Sequence, residues 1–236
     1  MDHSCQRPAR EGLEEVSAEQ LQSDQSVGQS VGAVSAQSSA RAELLLQLLQ
    51  AQLPRTAAHC RRVGLLSAQI GARLGLSEEA LGWLKLAGEL HDIGKLLVPR
   101  RALSKPSGLA STEYEEVQRH PTLGAQLLSL FPELAETRAG ILSHHERFDG
   151  SGYPQALSGE EIPLQARIIS IADCYDAMTN DRAYRSAMSP EEARDELAAS
   201  AGSQLDPTLV ALALPIFAEQ TQQPEQTYEQ WARRRA

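Results

Sequence analysis

From Arg41 onward, apolar positions recur every three or four residues, the period of an amphipathic helix. Strict two-residue alternation never persists long enough to suggest a strand. The stretch Glu43-Leu44-Leu45-Leu46-Gln47-Leu48-Leu49 predicts a first helix, stopped near Pro54. A second is predicted over Thr56 to Leu74, with Val63, Leu66, Ile70 and Leu74 on one stripe and Gly75 at its end. Ser77 is placed to cap a third, with Glu78 and Glu79 in the first turn, where the helix dipole favours anions. Its apolar line runs through Leu81, Leu84, Leu86 and Leu90 to His91-Asp92, and Gly94 is expected to let the chain turn out. Pro99, Pro106 and Gly108 mark a loop over Val98 to Gly108.

Thr112 and Glu115 have the spacing of a capping box for a helix that delivers His120. Pro121 then starts another turn, with an apolar face of Leu123, Leu127, Leu128 and Leu130. Pro132 is expected to open a helix through Leu134, Ile141 and Leu142, ending at His144-His145-Glu146. Phe148-Asp149-Gly150-Ser151-Gly152-Tyr153-Pro154 breaks all periodicity and reads as a shaped loop. Helices resume at Pro163, at the Ser189 cap with Pro190 behind it, and at Asp206-Pro207, whose helix carries Leu209, Leu212, Leu214 and Phe217. The fold class read from this pattern is all-α.

Composition sets the boundaries. Residues 1–40 are rich in Ser, Gln, Ala, Gly and Glu and hold no aromatic residue, so they are expected to form a disordered tail, with room for a short helix between Glu11 and Gln22. Residues 222–236 read as a polar C-terminal tail, leaving one domain over 41–221. With only 4% aromatic residues in a 42% apolar chain, Leu, Ala and Ile must fill the core. A net charge of −9 argues against DNA binding, which needs a basic face. The three cysteines show no CxxC spacing and are expected to be reduced thiols. Cys60 and Cys174, which follow His59 and Asp173, read as small buried filler, with thiolate ligation as the alternative. No apolar run approaches the ~18 residues of a membrane span, and no secretory signal opens the chain, so a cytoplasmic location is expected.

The chemistry gathers around His91-Asp92-Ile93-Gly94-Lys95. A carboxylate beside a neutral imidazole suits a borderline divalent metal, because its two oxygens can bridge two ions while each imidazole holds one. Alone, such a pair is most often a helix end. His59, His120, His144, His145 and Asp173 give it weight. Each has a plainer alternative: a structural histidine near a helix start for His59, a buried salt bridge with an Arg for Asp173, a surface amine for Lys95. Five imidazoles and two carboxylates make eight ligand bonds if one carboxylate bridges, which leaves positions for water and phosphate.

These blocks, together with His120-Pro121, Asp149-Gly150-Ser151-Gly152-Tyr153-Pro154, Ala172-Asp173-Cys174-Tyr175-Asp176-Ala177 and Arg182-Ala183-Tyr184-Arg185, resemble the HD-GYP family, a branch of the HD-domain metal-dependent phosphohydrolases. The resemblance covers roughly residues 55–215. It implies an HD-domain helical bundle with a GYP loop that hydrolyses the bacterial second messenger cyclic di-GMP, to pGpG, GMP or both, by a dinuclear-metal-activated hydroxide. By position, one metal would be held by His59, His91, Asp92 and Asp173, and the second by Asp92, His120, His144 and His145, with Asp92 bridging. Iron or manganese is expected first, and Zn, Ni or Co also suit the donor set.

Lys95 would bind the phosphate or protonate the leaving alkoxide. The chain has three lysines against nineteen arginines, so a lysine here speaks for a rotatable point charge. Gly152, Tyr153 and Pro154 would shape the substrate mouth, and Arg182 and Arg185 would reach a phosphate or a guanine edge. Glu146 and Asp149 read as partners of ligands or as loop caps, and Asp176 as an orienter of a ligand histidine.

One departure matters. Family members with a third metal carry a Glu four residues before the first ligand histidine, where this chain has Arg55, so two ions are expected and cleavage would stop more readily at pGpG. Rival readings are hydrolysis of another cyclic dinucleotide or nucleotide, and an idle module that signals through protein partners. A homodimer is compatible with either. Family members often carry a sensor or receiver domain ahead of the catalytic one, and only the polar tail precedes it here.

Overall fold

The computed structural model describes residues 32–103, 110–181 and 186–222. Among them ten α-helices follow in order: α1 Ala36–Gln52, α2 Pro54–Arg73, α3 Glu78–Leu90, α4 Arg100–Leu103, α5 Ser111–Gln118, α6 His120–Leu128, α7 Arg138–Ser143, α8 Leu164–Thr179, α9 Pro190–Ser200 and α10 Pro207–Gln222. Short 3-10 turns lie at Ile93–Leu97, Pro132–Thr137 and Gly159–Glu161. The described residues hold no strand, only an isolated bridge between Ala201 and Leu205.

Several boundaries obey the local chemistry that predicts them. Ser77 Oγ accepts from Ala80 N at 3.3 Å. Ser189 and Glu192 form a reciprocal box, with Glu192 N donating to Ser189 Oγ at 3.2 Å and Ser189 N to Glu192 Oε2 at 2.8 Å. Gly75 ends α2 with a φ of +85°, a backbone state that favours glycine.

Others differ. α1 begins at Ala36, inside the stretch expected to be disordered. Ser35 Oγ accepts from Ser38 N at 3.0 Å, Ser38 Oγ donates to Glu133 O at 2.9 Å, and Trp83 Nε1 donates to Gly32 O at 2.7 Å. A cap and two long-range bonds draw residues 32–40 onto the body, and average composition does not register them. In place of the expected box at Thr112 and Glu115 there is a single bond two residues earlier, where Glu113 Oε2 accepts from Ala110 N at 2.7 Å and the alanine has no side-chain acceptor to reciprocate. The helix expected from Pro132 divides into a 3-10 turn and α7, with Thr137 Oγ1 donating to Leu134 O at 2.7 Å at the break. The loop after Val98 contains the four-residue α4. Residues 1–31, with the short helix expected there, Pro106, Gly108, Arg182, Arg185 and residues 223–236 lie outside the described residues.

Two apolar clusters fill the body. Val63, Ile70, Leu84, Ile168, Ile171, Leu197 and Phe217 belong to one, which joins α2, α3, α8, α9 and α10. Leu45, Leu49, Trp83, Leu90, Leu128 and Ile141 belong to the other, which joins α1, α3, α6 and α7. Thus α3 serves both. It approaches α2 so closely that a β-carbon on Gly88 would stand 2.8 Å from Gly64 Cα. The two helices form an antiparallel hairpin, so the start of α2, with His59, lies beside the end of α3, with His91.

Candidate metal centre

The structure brings the seven predicted ligand side chains together. Ring centroids step from His59 to His91 at 5.1 Å, from His91 to His144 at 5.0 Å, and from His144 to His120 at 5.2 Å and His145 at 4.2 Å. Of three groups of donor atoms among the described residues that lie within 4.8 Å of one another and could hold an ion, two contain no thiol: His59, His91 and Asp173, and His120, His144 and His145. Asp92 lies between them. Its Oδ2 is 3.5 Å from His91 Nε2 and its Oδ1 is 3.1 Å from His120 Nε2.

Helix ends explain how three of the rings are aimed. The last four carbonyls of a helix lack an intrahelical partner. His91 follows α3 and its Nδ1 meets Gly88 O at 2.8 Å. His120 follows α5 and its Nδ1 meets Val117 O at 2.7 Å, and His144 follows α7 and its Nδ1 meets Ile141 O at 2.7 Å. A carbonyl only accepts, so each Nδ1 carries the proton and each Nε2 presents a bare lone pair inward.

That arrangement fits a cation. Nε2 of His120 and Nε2 of His144 face each other at 3.2 Å, both turned into the same small space. Asp92 Oδ1 is buried without a hydrogen-bond donor. Burial holds His91 below its ordinary range and His144 well below it, and His145 falls to about 3, chiefly by burial. Burial opposes the charge of Asp92, but Lys95, His91 and His120 outweigh it and keep the carboxyl well below the usual range. Neutral imidazoles around ionised carboxylates are the donor set that divalent metals require.

His59 is aimed differently. It sits inside α2, where backbone carbonyls serve the helix, and its Nδ1 instead meets Asp176 Oδ2 on α8 at 2.6 Å. Its Nε2 lies 3.1 Å from Asp173 Oδ1. Burial works against a charge on His59, yet the hydrogen bonds to Asp173 and Asp176 raise it to about 9. Asp176 thus stands where it can hold the His59 ring. Arg62 was not anticipated: Nε and Nη2 donate to Asp176 at 2.5 and 2.9 Å. Its only sequence signal is its position three residues after His59, the spacing that also separates Asp173 from Asp176.

Lys95 is no isolated surface lysine. Its Nζ donates to Asp92 Oδ2 at 2.6 Å, with a quarter of the side chain still exposed. Cys60 is fully buried, which pushes its thiol well up, and its sulfur lies within 4.8 Å of donor atoms of His91 and Asp92. Cys174 is half-buried, and its sulfur accepts from Gln204 Nε2 at 3.3 Å.

The GYP loop folds back over the second group. Tyr153 stacks on His145 with centroids 5.0 Å apart, Tyr153 N donates to His145 O at 3.2 Å, and the Tyr153–Pro154 peptide is cis. Buried Glu146 anchors the loop, accepting from Gln155 N at 2.6 Å and Leu157 N at 3.1 Å. Gly152 lies flat on this backbone, since a β-carbon there would meet Glu146 Cα at 2.5 Å and collide with Arg147 N. Asp149 ties the tip, accepting from Ser151 N at 3.0 Å and Arg147 Nη2 at 3.0 Å.

Gly94 acts through closeness and has no positive φ: its α-carbon abuts the start of α6, where a β-carbon would collide with His120 O.

The family model described as HD domain matches residues 43–209. Over 181 residues the chain is 38% identical to a cyclic di-GMP phosphodiesterase of Thermotoga maritima, a match covering 76% of this chain and 49% of that protein. It is 36% identical to a 3'3'-cGAMP-specific phosphodiesterase of Vibrio cholerae, over 74% of this chain and 34% of that one. The chain therefore spans about half the length, or less, of these relatives. Among solved structures, an HDG"Y"P protein from Bdellovibrio bacteriovorus superposes with a TM-score of 0.57 at 20% identity, over 69% of this chain and 52% of that one. No helix among the described residues is long and apolar enough to cross a membrane. The family match takes in all seven gathered side chains and runs from within α1 into α10, and by it this chain belongs to the HD domain family, in the HD-GYP branch whose two signatures it bears.

Proposed function

We propose that the chain is a metal-dependent phosphodiesterase that hydrolyses cyclic di-GMP to pGpG, GMP or both. One observation carries the reading: the two oxygens of Asp92 face one imidazole from each donor group, His91 at 3.5 Å and His120 at 3.1 Å. A carboxylate so placed can serve two ions at once. His59, His91, Asp92 and Asp173 would hold the first, and Asp92, His120, His144 and His145 the second. Iron or manganese is preferred, and Zn, Ni or Co also suit a donor set of nitrogen and oxygen. Two such ions would supply an activated water and a clamp for the phosphate.

The chain's own groups do the rest. Lys95, now paired with Asp92, can turn its ammonium to a substrate phosphate or give a proton to the departing alkoxide. Tyr153, held against His145, walls the entrance and keeps bulk water from the reacting atoms. Arg182 and Arg185 are proposed to bind phosphate or guanine edges. Arg55 is exposed at the position where family members with a third metal have a Glu, which supports two ions and a bias toward pGpG.

A second substrate has specific support. The relative named for 3'3'-cGAMP is nearly as similar as the one named for cyclic di-GMP, at 36% against 38% identity. The test is to load purified protein with Mn²⁺ or Fe²⁺, offer cyclic di-GMP, 3'3'-cGAMP and a cyclic mononucleotide separately, and resolve the products. Linear dinucleotide or mononucleotide from cyclic di-GMP, lost on chelation, is expected. Cleavage of 3'3'-cGAMP alone would replace the substrate. Binding without turnover of any of them would replace the enzyme with a signalling module.

A further inference from the structure

We infer that Arg62 is a positioning residue for the first ion: its guanidinium fixes Asp176, and through it the ring of His59. The inference rests on the dinuclear reading and adds to it a residue that never touches the ions.

The asymmetry among the histidines motivates it. His91, His120 and His144 each lean on a backbone carbonyl three residues earlier. Such an acceptor is neutral and already held by its helix. His59 leans on a side chain, the Asp176 carboxylate, from another helix. A carboxylate can rotate and carries a charge, and Asp176 is only 3% exposed. Something must set its plane and offset its charge.

Arg62 is built for both tasks. Its Nε donates to Asp176 Oδ1 at 2.5 Å and its Nη2 to Oδ2 at 2.9 Å, the paired fork that fixes a carboxylate in plane. Asn180 Nδ2 adds a bond to Oδ1 at 3.1 Å. With His59 Nδ1 at 2.6 Å on Oδ2, every in-plane site of the carboxylate is filled. The side of Oδ2 that Arg62 leaves open is then turned to His59, whose other nitrogen lies toward Asp173, 3.1 Å away. Asp173 and Asp176 share one face of α8, while His59 and Arg62 share one face of α2, so the four side chains form a closed rectangle between two packed helices.

The experiment compares wild-type protein with Arg62→Gln and Arg62→Lys. Metal-free samples are titrated with Mn²⁺ while the EPR signal of the free ion counts what is bound. Wild type is expected to take up two ions. Arg62→Gln is expected to weaken one of them by about 10- to 100-fold, the usual effect of losing a partner behind a ligand, and to leave the other unchanged. Arg62→Lys, which keeps the charge and loses the fork, should fall between. Should Arg62→Gln not fold by circular dichroism, Arg62→Lys decides alone by the same one-ion defect. Two unchanged affinities in the variants, with only the melting temperature lowered, would mean that Arg62 merely braces helices and would overturn the inference. Wild-type protein that takes up no pair of ions would overturn the dinuclear reading and this inference with it.

Discussion

Gly94 and His120 meet through their backbones: no β-carbon fits between the glycine and the carbonyl oxygen of the histidine. The approach sets how far the turn carrying Asp92 stands from the start of α6, and hence how Asp92 Oδ1 faces His120 Nε2. Gly94→Ala must push the two segments apart. Backbone on both sides gives little relief, so a loss at the upper end of the usual overpacking range, about 3 kcal/mol, is expected in chemical denaturation. Metal uptake should fall with it, whereas Gly32→Ala, where a β-carbon meets open space, should change neither.

Asp92→Ala removes the only side chain shared by both donor groups. Helicity by circular dichroism should be unchanged, since a buried charge with an unsatisfied oxygen contributes little to the apolar clusters. Metal content should drop below one ion per chain and phosphodiester cleavage to background. Full activity in this variant would end the dinuclear proposal.

Lys95→Ala separates chemistry from metal binding. The ammonium is paired with Asp92 at 2.6 Å but ligates nothing. Two ions should still bind, while kcat/KM for the cyclic dinucleotide falls by about 10²- to 10⁴-fold, the range for a lost general acid. A kcat/KM within twofold of wild type would return Lys95 to a structural role.

Glu146→Ala leaves the amides of Gln155 and Leu157 without an acceptor beneath a loop that Gly152 presses flat on the backbone. Both bonds are only part-buried, so each lost acceptor costs about 0.5–1.5 kcal/mol and a modest fall in melting temperature is expected. Tyr153 should also lose its stacked position on His145, and KM should rise more than kcat falls. A KM that does not move would separate the loop from substrate binding.

Much of this was legible in the chain because helices announce their ends. Ser77, Gly75, Ser189 and Pro190 act within a turn of themselves, so local rules find them. The donor residues were legible because their types are rare and their order distinctive. Other features depend on partners distant in sequence. Ser38 reaches Glu133 and Trp83 reaches Gly32, and these bonds recruit residues 32–40, which composition alone assigns to a tail. Arg62 reads as one of many arginines until α8 brings Asp176 to it. Gly94 reads as a flexible turn residue, while its real constraint comes from a neighbour 26 positions further on.

The three carbonyl-aimed histidines hang on the places where helices ordinarily come undone first. If one such terminus frays, the imidazole and the acceptor that steers it leave together, so a grip on cations is lost all at once and not by degrees. Conversely, cations seated there would rivet the ends of α3, α5 and α7 to one point. Amide exchange at Gly88, Val117 and Ile141 should therefore slow in concert when the protein is loaded, turning the loosest parts of three separate helices into its most rigid spot.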